Sequence, residues 1–325
     1  MKKTIRLLAI LFSAVTLFTA LTSCNTASID RDLEINVTVL NGSTGFGAAK
    51  LISDNKDGST ALNYNITVEK LAENVTKGLI NGSIDIAALP TNAAAAVYKK
   101  TNGGIKIAAV NTLGVLYLVT NSEKVAINSL SDLEGKTVYC PDQNPAFIFE
   151  AICRAQGVNV TIDTYYAKPE ELRDALVNGL IDMAVIPEPM LTIAKSKNGS
   201  LTTSLDLTEE WEKSFGKNTI MQGCIVVRTE WAKAHPEELK KFLEEYKASI
   251  EYTNSNPKEA AGLVADAGMV GAAPVAEKAI PRCNIVYMDG DEMATALDVF
   301  FARLYEINPK AVGGALPDSG IYLGK

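Results

Sequence analysis

The sequence predicts an α/β protein with two similar lobes, each a mixed, mostly parallel sheet flanked by helices. The first observation is a repeated phrase: residues 79–90 (LINGSIDIAALP) return 97 residues later as residues 176–187 (LVNGLIDMAVIP), with seven of twelve positions identical. The second is that short apolar runs alternate with helical patterns, with few hairpin signals between them. Each copy of the phrase predicts a helix end, a glycine stop, a short strand and a terminating proline. The alternative is chance, because Gly-x-Ile-Asp joins helices to strands in many α/β proteins.

Lobe 1 is expected to contain residues 33–113 plus 226–325. β-Branched residues predict its first strand, and the polar, glycine-rich turn that follows opens a helix through residue 52. Apolar runs between polar turns predict further strands, and helical periodicity predicts the helices between them. The predicted strands are 35–40, 64–68, 84–89 and 105–110, followed by a strand at 113–120 that leads out of this lobe, and the predicted helices after the first are 72–80 and 92–100.

Lobe 2 is expected over residues 118–222. A short helical turn stops at a glycine and leads into the lobe's first strand. The helix at 169–178 has Pro at its first position and acids in its first turn, which are typical of a helix start. The second copy of the phrase supplies the last predicted strand of this lobe. The predicted strands are 136–140, 158–166 and 181–186, and the predicted helices are 145–156, 169–178 and 189–197.

The remaining chain is predicted to return to lobe 1. After a polar stretch that contains Trp211, an apolar run at 221–228 predicts a strand. The rest is mainly helical. One amphipathic helix opens at Pro236, and a second apolar face runs from Met293 to Leu304.

The first 23 residues predict a signal peptide that is not part of the fold. A basic start precedes an apolar run that ends at Leu21 and is too short and wrongly flanked for a stable membrane span. Leu-Thr-Ser-Cys24 then resembles the bacterial lipobox, in which the signal is cut before a cysteine that carries a diacylglycerol. Two acyl chains anchor a protein stably, so Cys24 is the predicted lipidation site and residues 24–32 a tether. The alternative is an ordinary secretory signal with an incidental cysteine.

The composition argues against nucleic acid as a partner. The chain has 31 basic and 38 acidic residues and a formal net charge of −7. Removal of the signal, which has three positive charges and no acids, brings the mature chain to about −10. A folded protein this acidic is a poor ligand for nucleic acid or anionic lipid headgroups. About 300 mature residues suffice for two lobes with their own cores.

Few residues suit catalysis or metal binding. The single histidine, His235, lies beside a proline at a helix start, so no Ser-His or Cys-His pair is predicted and a histidine-based metal cluster is excluded. No cofactor is expected. A carboxylate pair in the cleft, Asp142 with Glu188, is the remaining arrangement that could exchange protons. The mature cysteines match no zinc spacing, and either one disulfide or buried free thiols is compatible with Cys140, Cys153, Cys224 and Cys283.

The lipobox, the duplicated lobes and the order of elements resemble bacterial solute-binding lipoproteins of ABC importers. The likeness is to the type II periplasmic-binding-protein branch with receptors for nitrate, sulfonates, taurine and thiamine precursors. It is carried by residues 41–46 (NGSTGF), 82–90 (GSIDIAALP), 129–136 (SLSDLEGK) and 231–238 (WAKAHPEE).

The resemblance implies lobes joined by two crossing segments, for which 111–120 and 219–226 are candidates, and closure on a ligand by hinge motion. It also implies an extracytoplasmic monomer that is tethered to the membrane through Cys24. Its partners would be a small-molecule ligand and the permease and ATPase of an importer.

Candidate ligand contacts follow strand ends, because ligands of open α/β sheets sit beyond the carboxyl ends of strands. Helix starts at these positions also offer unpaired N–H groups that favour anions. The alternative is that residues such as Ser43 and Asn144 only cap their own helices. The predicted ligand-binding residues are Asn41, Ser43, Thr44, Phe46, Pro90, Thr91, Asn92 and Thr112 in lobe 1, and Asp142, Gln143, Asn144, Phe147, Glu188 and Met190 in lobe 2.

The chemistry of these loops predicts a small neutral or weakly basic organic solute. They contain no Arg or Lys, which a receptor for a dianion would use. Asp142 and Glu188 can accept hydrogen bonds from an amine or amino-heterocycle, and Phe46 and Phe147 can stack on a flat ring or belong to the core. We expect an aromatic or pyrimidine-like vitamin precursor to be captured and delivered to a membrane permease. The alternatives are a receptor for sulfonate- or nitrate-type anions, and a ligand-sensing lipoprotein that is not coupled to transport.

Overall fold

The computed structural model describes residues 29–325, and residues 31–325 form one compact unit. The predicted signal peptide, the predicted lipidation site Cys24 and the first part of the tether lie outside the described residues. Within residues 29–325, every helix is too short or too polar to cross a bilayer.

Lobe 1 is built on a six-stranded sheet. Its strands are β1 (Glu34–Leu40), β2 (Asn63–Glu69), β3 (Ile86–Pro90), β4 (Ile105–Thr112), β10 (Gly223–Arg228) and β11 (Ile285–Met288). Their spatial order is β11-β4-β10-β3-β1-β2.

Lobe 2 is built on a five-stranded sheet of the same plan. Its strands are β5 (Leu116–Asn121), β6 (Thr137–Tyr139), β7 (Thr161–Asp163), β8 (Met183–Pro187) and β9 (Leu201–Asp206). The order β7-β6-β8-β5-β9 matches β2-β1-β3-β10-β4 of lobe 1 position for position. The repeated phrase therefore supplies equivalent strands, β3 and β8, at the third position of this common order.

Both sheets are mixed, but parallel pairing does not predominate. Among the strands of residues 29–325, eight of eleven run in the common direction of their sheet, yet four pairings are parallel and five antiparallel. The edge strand β11 makes one of the antiparallel pairings, and the other four arise because β5 and β10 run backwards in the interior of their sheets. Each is the first strand after the chain passes between the sheets, so it starts where the parallel strands end. Leu116 thus pairs with Pro187, and Gly223 pairs with Pro90.

Two short connections join the sheets. Residues 113–115 lead from β4 to β5, inside the segment predicted to cross first, and residues 216–222 lead back to β10, overlapping the second. The connections are hydrogen-bonded to each other: the Gln222 amide donates to the Thr112 carbonyl (3.0 Å), and the Val115 amide donates to Gln222 Oε1 (2.7 Å).

Helices cover both sheets. A predicted single helix through residue 52 is instead two short helices, because Gly47 and Ala48 interrupt it. The helices are α1 (Ser43–Phe46), α2 (Ala49–Lys56), α3 (Ala72–Asn81), α4 (Thr91–Lys100), α5 (Asn144–Ala155), α6 (Pro169–Val177), α7 (Met190–Lys197), α8 (Leu207–Phe215), α9 (Thr229–Ala234), α10 (Pro236–Ser255), α11 (Pro257–Asp266), α12 (Ala273–Ala279) and α13 (Gly290–Ile307).

Sequence patterns missed two strands and one helix. In β9 three consecutive polar residues separate the two buried leucines, so polar and apolar residues do not alternate along the strand. β11 has only four residues. α8 lies in the stretch interpreted only as polar, although its Trp211 is fully buried and packs 5.6 Å from Phe300 of α13.

Candidate functional site

A cavity of about 280 Å³ lies where the carboxyl ends of the two sheets face each other. Its lobe 1 wall is the end of β1 with the following loop and the ends of β3 and β4. Its lobe 2 wall is the end of β8 and the starts of α6 and α7. We call this the first compartment. Seven of the predicted ligand-binding residues line it: Asn41, Ser43, Thr44, Pro90, Thr112, Glu188 and Met190.

Buried polar residues hold the lobe 1 wall in place. Asn111 is 1% exposed, and its Nδ2 donates to the Thr44 carbonyl (2.9 Å) and to the Tyr246 hydroxyl (2.9 Å). The Thr112 hydroxyl donates to Asn111 Oδ1 (3.1 Å). Thr44 of α1 and Thr112 of β4 are thus held by the side chain of one asparagine. Tyr246 is fully buried, and this burial raises its pKa.

Glu188 is the buried charged group of the first compartment. Its side chain has no exposed surface, its Oε2 accepts from the Thr192 amide (3.1 Å), and its Oε1 accepts from the Thr192 hydroxyl (3.0 Å). The Arg282 Nε lies 3.1 Å from Oε1. Burial raises the pKa of Glu188, while the Thr192 hydrogen bonds and the Arg282 charge act in the opposite direction. Burial dominates because it removes water from a carboxylate whose cation is still one-third exposed.

Arg282 reaches lobe 2 from the turn that precedes β11 of lobe 1. Its Nη2 donates to the Thr203 hydroxyl (3.1 Å), and its guanidinium carbon lies 4.7 Å from the centre of the Tyr117 ring. The Tyr117 hydroxyl donates to the Arg282 carbonyl (2.8 Å). Sequence reasoning missed this arginine, because it lies 94 residues from Glu188 and outside any motif.

Other residues of the first compartment were also missed. Pro169 and Glu170 line it from the start of α6, and Val115 and Gln222 line it from the two connections. A signal for Pro169 and Glu170 was present, since they mark a helix start that follows a strand. Nothing in the pattern indicated which of several such starts faces the cleft.

A second cavity, of about 340 Å³, separates α4 of lobe 1 from α5 of lobe 2. We call it the second compartment. The predicted residues Asn92, Gln143 and Phe147 line it, rather than the first compartment, together with residues of the segment after α13. Phe147 also packs against the main core.

The predicted residues Thr91 and Asn144 are buried beside the second compartment. Thr91 is fully buried and Asn144 is 8% exposed, and each directly adjoins a lining residue in the chain. The Cys224 thiol lies near Thr91, and burial raises the pKa of this thiol to about 12, so it is neutral.

Two predicted ligand contacts line neither compartment. Phe46 is completely buried and lines neither compartment, because α1 is a single turn that directs its last residue into the interior of lobe 1. Asp142 is exposed, its Oδ1 accepts from the Gln143 amide (2.8 Å), and it lies outside both compartments. The carboxylate pair of Asp142 with Glu188 is therefore not assembled in one cavity.

A larger cavity, of about 500 Å³, belongs to lobe 1 alone. Leu239 and Leu243 of α10 line it together with Tyr287 of β11. It shares no lining residue with the first compartment and has none from lobe 2, so it is a less suitable site for a solute clasped between the lobes.

The described cysteines and the histidine line neither compartment. Cys140, Cys153, Cys224 and Cys283 are buried free thiols. His235 packs 5.2 Å from Trp231 at the junction of α9 and α10, outside both compartments. No group of His, Cys, Asp and Glu residues within residues 29–325 could hold a metal ion.

Known proteins with this fold include solute receptors. A crystal structure of an ABC transporter from Parabacteroides distasonis is 25% identical and matches 91% of this chain and 100% of its own, with a TM-score of 0.78. The periplasmic aliphatic sulphonate binding protein SsuA from Escherichia coli is 16% identical over 88% of this chain and 92% of its own (TM-score 0.68). The alkanesulfonate-binding protein SsuA from Xanthomonas axonopodis pv. citri, bound to MOPS, is 14% identical. The match covers 88% of this chain and 96% of that protein, with a TM-score of 0.61.

At the level of sequence, a search of curated proteins finds no match. Residues 60–260, more than half of the chain, match the family model described as NMT1/THI5 like. This segment contains both copies of the repeated phrase and all of lobe 2. The chain belongs to the NMT1/THI5-like family and is a type II solute-binding protein of the ABC-importer class.

Proposed function

We propose that the protein captures a small neutral or weakly basic organic solute between its lobes and delivers it to an importer permease. The observation that carries the proposal is the first compartment, where strand ends of both sheets meet around Glu170 and Glu188. A solute held there contacts both lobes at once, so it favours the closed arrangement by its differential affinity for that state.

The charge of the first compartment supports the ligand class. Within the described chain, its lining residues include two glutamates and no lysine or arginine. Arg282, the cation beside Glu188, is already engaged by a carboxylate, a hydroxyl and an aromatic ring. An anion would therefore meet carboxylates, whereas an N–H donor finds acceptors.

A receptor role is better supported than catalysis. The two glutamates of the first compartment differ in environment, since Glu188 is buried and ion-paired and Glu170 is exposed. The hydroxyl beside Glu188, that of Thr192, is buried and does not line the first compartment, so it is poorly placed to attack a bound solute. The proposal includes an extracytoplasmic location, with Cys24 as the lipid-bearing residue.

Calorimetric titration tests the proposal on residues 31–325, which form a compact unit. The panel is 4-aminopyrimidine and related aminopyrimidines, alkyl sulfonates and nitrate. We expect an aminopyrimidine to bind and Glu188→Ala to weaken its binding at least about 10-fold, because a hydrogen bond to a charged group is lost. Glu150→Ala, on the outer face of α5, is the matched control and should bind like the wild type. Tight binding of a sulfonate or nitrate alone would reject the ligand class.

An anion receptor is the second candidate, because two of the structural neighbours are sulfonate-binding proteins. The same titration separates the two candidates. A ligand sensor without transport is a third use of the same cleft, and neighbouring genes for a permease and an ATPase would favour the importer.

A further inference from the structure

We infer that a further cavity between the lobes binds a small organic carboxylate through two arginines. The cavity has a volume of about 260 Å³ and lies between α5, the end of α8 and the end of α13. It shares no lining residue with the first or the second compartment. We call it the arginine cavity. The inference is separate from the proposed function, since it assigns a different ligand to a different place.

Both lobes contribute to the arginine cavity. α5 connects β6 to β7 of lobe 2, whereas α13 packs against β4 of lobe 1. The two helices also pack against each other. Arg154 lines the cavity from α5, and Arg303 lines it from α13. A ligand that contacts both arginines therefore contacts both lobes.

Positive charge is concentrated at this cavity in an acidic protein. The chain has a formal net charge of −7, and residues 29–325 contain six arginines. Two of the six line this one cavity, and Glu306 is the one carboxylate among the described residues that line it. Two cations that face each other across a small space repel each other. An anion placed between them relieves this repulsion.

Arg303 has hydrogen-bond donors that the described residues do not use. Both Glu306 oxygens accept from its Nη1, at 2.8 Å each. Its Nε is buried and has no hydrogen-bond partner within residues 29–325. A buried donor without a partner has lost its water without compensation. Because Glu306 takes only Nη1, the edge formed by Nε and Nη2 is available, and this edge matches the two oxygens of a carboxylate.

The carboxylates that already contact the two arginines do not saturate them. Arg154 pairs with Glu150, one turn away on α5, and is 61% exposed. Arg303 pairs with Glu306, one turn away on α13, and is 37% exposed. Exposed ion pairs within one helix are weak, because water screens both charges and two long side chains must be ordered. Both arginines can therefore take a further anion without breaking a buried ion pair.

The rest of the cavity wall is apolar, so the ligand has an apolar body as well as a charge. The Arg303 guanidinium carbon lies 5.4 Å from the centre of the Phe215 ring, and this ring packs 4.5 Å from the buried Trp211. An inorganic anion would leave this surface unused, whereas an aromatic ring can pack on it. The cavity is smaller than the sites of about 300–1,000 Å³ that hold drug-sized ligands. The apolar lining residues are Ala151, Ala155, Phe215 and Ile307.

A carboxylate in the arginine cavity acts as an effector rather than as the transported solute. It pairs with one arginine of each lobe, so it favours the arrangement of the lobes in which the two arginines face one cavity. It thereby influences capture of the solute without sharing any of the solute's contacts.

Calorimetric titration of residues 31–325 with benzoate tests the inference. Benzamide, which has the same ring without the charge, is the matched ligand control. We expect benzoate to bind at least about 10-fold more tightly than benzamide, because charge-assisted hydrogen bonds to arginine are stronger than neutral ones. Equal affinities for the two molecules, or the absence of benzoate binding, would overturn the inference.

Two variants locate the binding site. Arg303→Gln should weaken benzoate binding at least about 10-fold and the more exposed Arg154→Gln at least about 3-fold. Arg154→Gln keeps the test decisive if Arg303→Gln does not fold. Lys77→Gln, which removes an exposed lysine paired with Glu73 on α3, is the matched control and should bind benzoate like the wild type. Unchanged affinity in both arginine variants would overturn the inference. A loss in Arg303→Gln alone would overturn the bridging of the two lobes.

Glu188→Ala separates this inference from the proposed function. Glu188 lines the first compartment and not the arginine cavity, so its loss should leave benzoate binding unchanged while it weakens binding of the aminopyrimidine. A clear change in benzoate affinity in Glu188→Ala would mean that the anion lies in the first compartment, which would overturn the inference. Failure of the aminopyrimidine to bind, with benzoate binding as expected, would reject the proposed solute and leave the arginine cavity intact.

Discussion

One buried carboxylate lies in the first copy of the repeated phrase and another directly follows the second copy, so the two are at opposite ends of equivalent strands. Asp85 directly precedes β3, and Glu188 directly follows β8. Both are paired with arginine: Arg228 Nη2 lies 2.7 Å from Asp85 Oδ1, and Arg282 Nε lies 3.1 Å from Glu188 Oε1. The two lobes therefore share a strand order but place their buried ion pairs at different ends of the equivalent strand.

The position along the strand determines what the carboxylate does. Asp85 is at the edge away from the cleft, and its Oδ2 accepts from the Asn36 amide (3.0 Å), so it joins β1, β3 and β10 of one sheet. Glu188 is at the cleft edge, and its arginine comes from a segment outside its own sheet. The residue equivalent to Asp85 in the second copy is Asp182, which is at the surface. The residue equivalent to Glu188 after the first copy is Thr91, which is buried and neutral. A duplicated fold thus keeps its framework and varies the residues at the strand ends.

Asp85→Asn is expected to have the largest effect on stability. It leaves Arg228 without its carboxylate next to the sheet, so we expect the free energy of unfolding to fall by about 3 kcal/mol. The matched variant Asp182→Asn removes an ion pair whose side chains are 37% and 51% exposed, and should cost less than about 1 kcal/mol. Urea denaturation of both variants measures the difference. Equal losses would show that the two aspartates play the same part.

The strand-end positions of this comparison were predictable from the sequence. The repeated phrase, its glycine and its terminal proline located β3 and β8, and hence Glu188 and Thr91 at the cleft edge. Local pattern suffices here, because a glycine stop and an apolar run are read within a few residues. Whether Asp85 or Asp182 is buried depends on Arg228 and Lys124, which are distant in sequence.

Other parts of the site were not predictable for the same reason. Arg282 reaches Glu188 only because the turn before β11 packs against lobe 2. Asp142 and Gln143 are adjacent, yet only Gln143 lines a compartment, since backbone torsion at this point sends the two side chains in different directions. The sequence also predicted that Pro90 and Asn92 contact the ligand in one cleft. In the structure they line different cavities.

The variant Arg282→Gln tests how the stability contributed by the Glu188 ion pair depends on pH. Removing Arg282 removes an influence that lowers the pKa of Glu188, so ionised Glu188 becomes more costly in the folded protein. We expect a loss of about 2 kcal/mol at pH 8. The loss should shrink as the pH falls below the pKa of Glu188, because the carboxyl is then neutral in both proteins. Denaturant titrations at pH 8 and pH 4 measure the two losses.

Two controls accompany this variant. Arg154→Gln removes an arginine that is 61% exposed and pairs with Glu150 on the same helix, and should cost less than about 1 kcal/mol. In the double variant with Glu188→Gln, the added dependence on pH should disappear. A loss in Arg282→Gln that is equal at both pH values would mean that the guanidinium acts through packing on Tyr117 rather than through its charge.

The smallest expected effects test what the two copies share. Gly82 and Gly179 end α3 and α6 in the left-handed region, with φ of +83° and +67°. Alanine should cost about 1 kcal/mol at either position, because its Cβ strains this conformation, and asparagine should cost less. An added Cβ meets nothing within 4 Å at Gly179 and only the Arg228 guanidinium, at 3.7 Å or more, at Gly82. Denaturation of the four variants should give equal losses in both copies. A clearly larger loss of stability for Gly82→Ala would mean that the added Cβ disturbs Arg228 and its ion pair with Asp85. The two copies would then differ at the end of the helix as well as at the end of the strand.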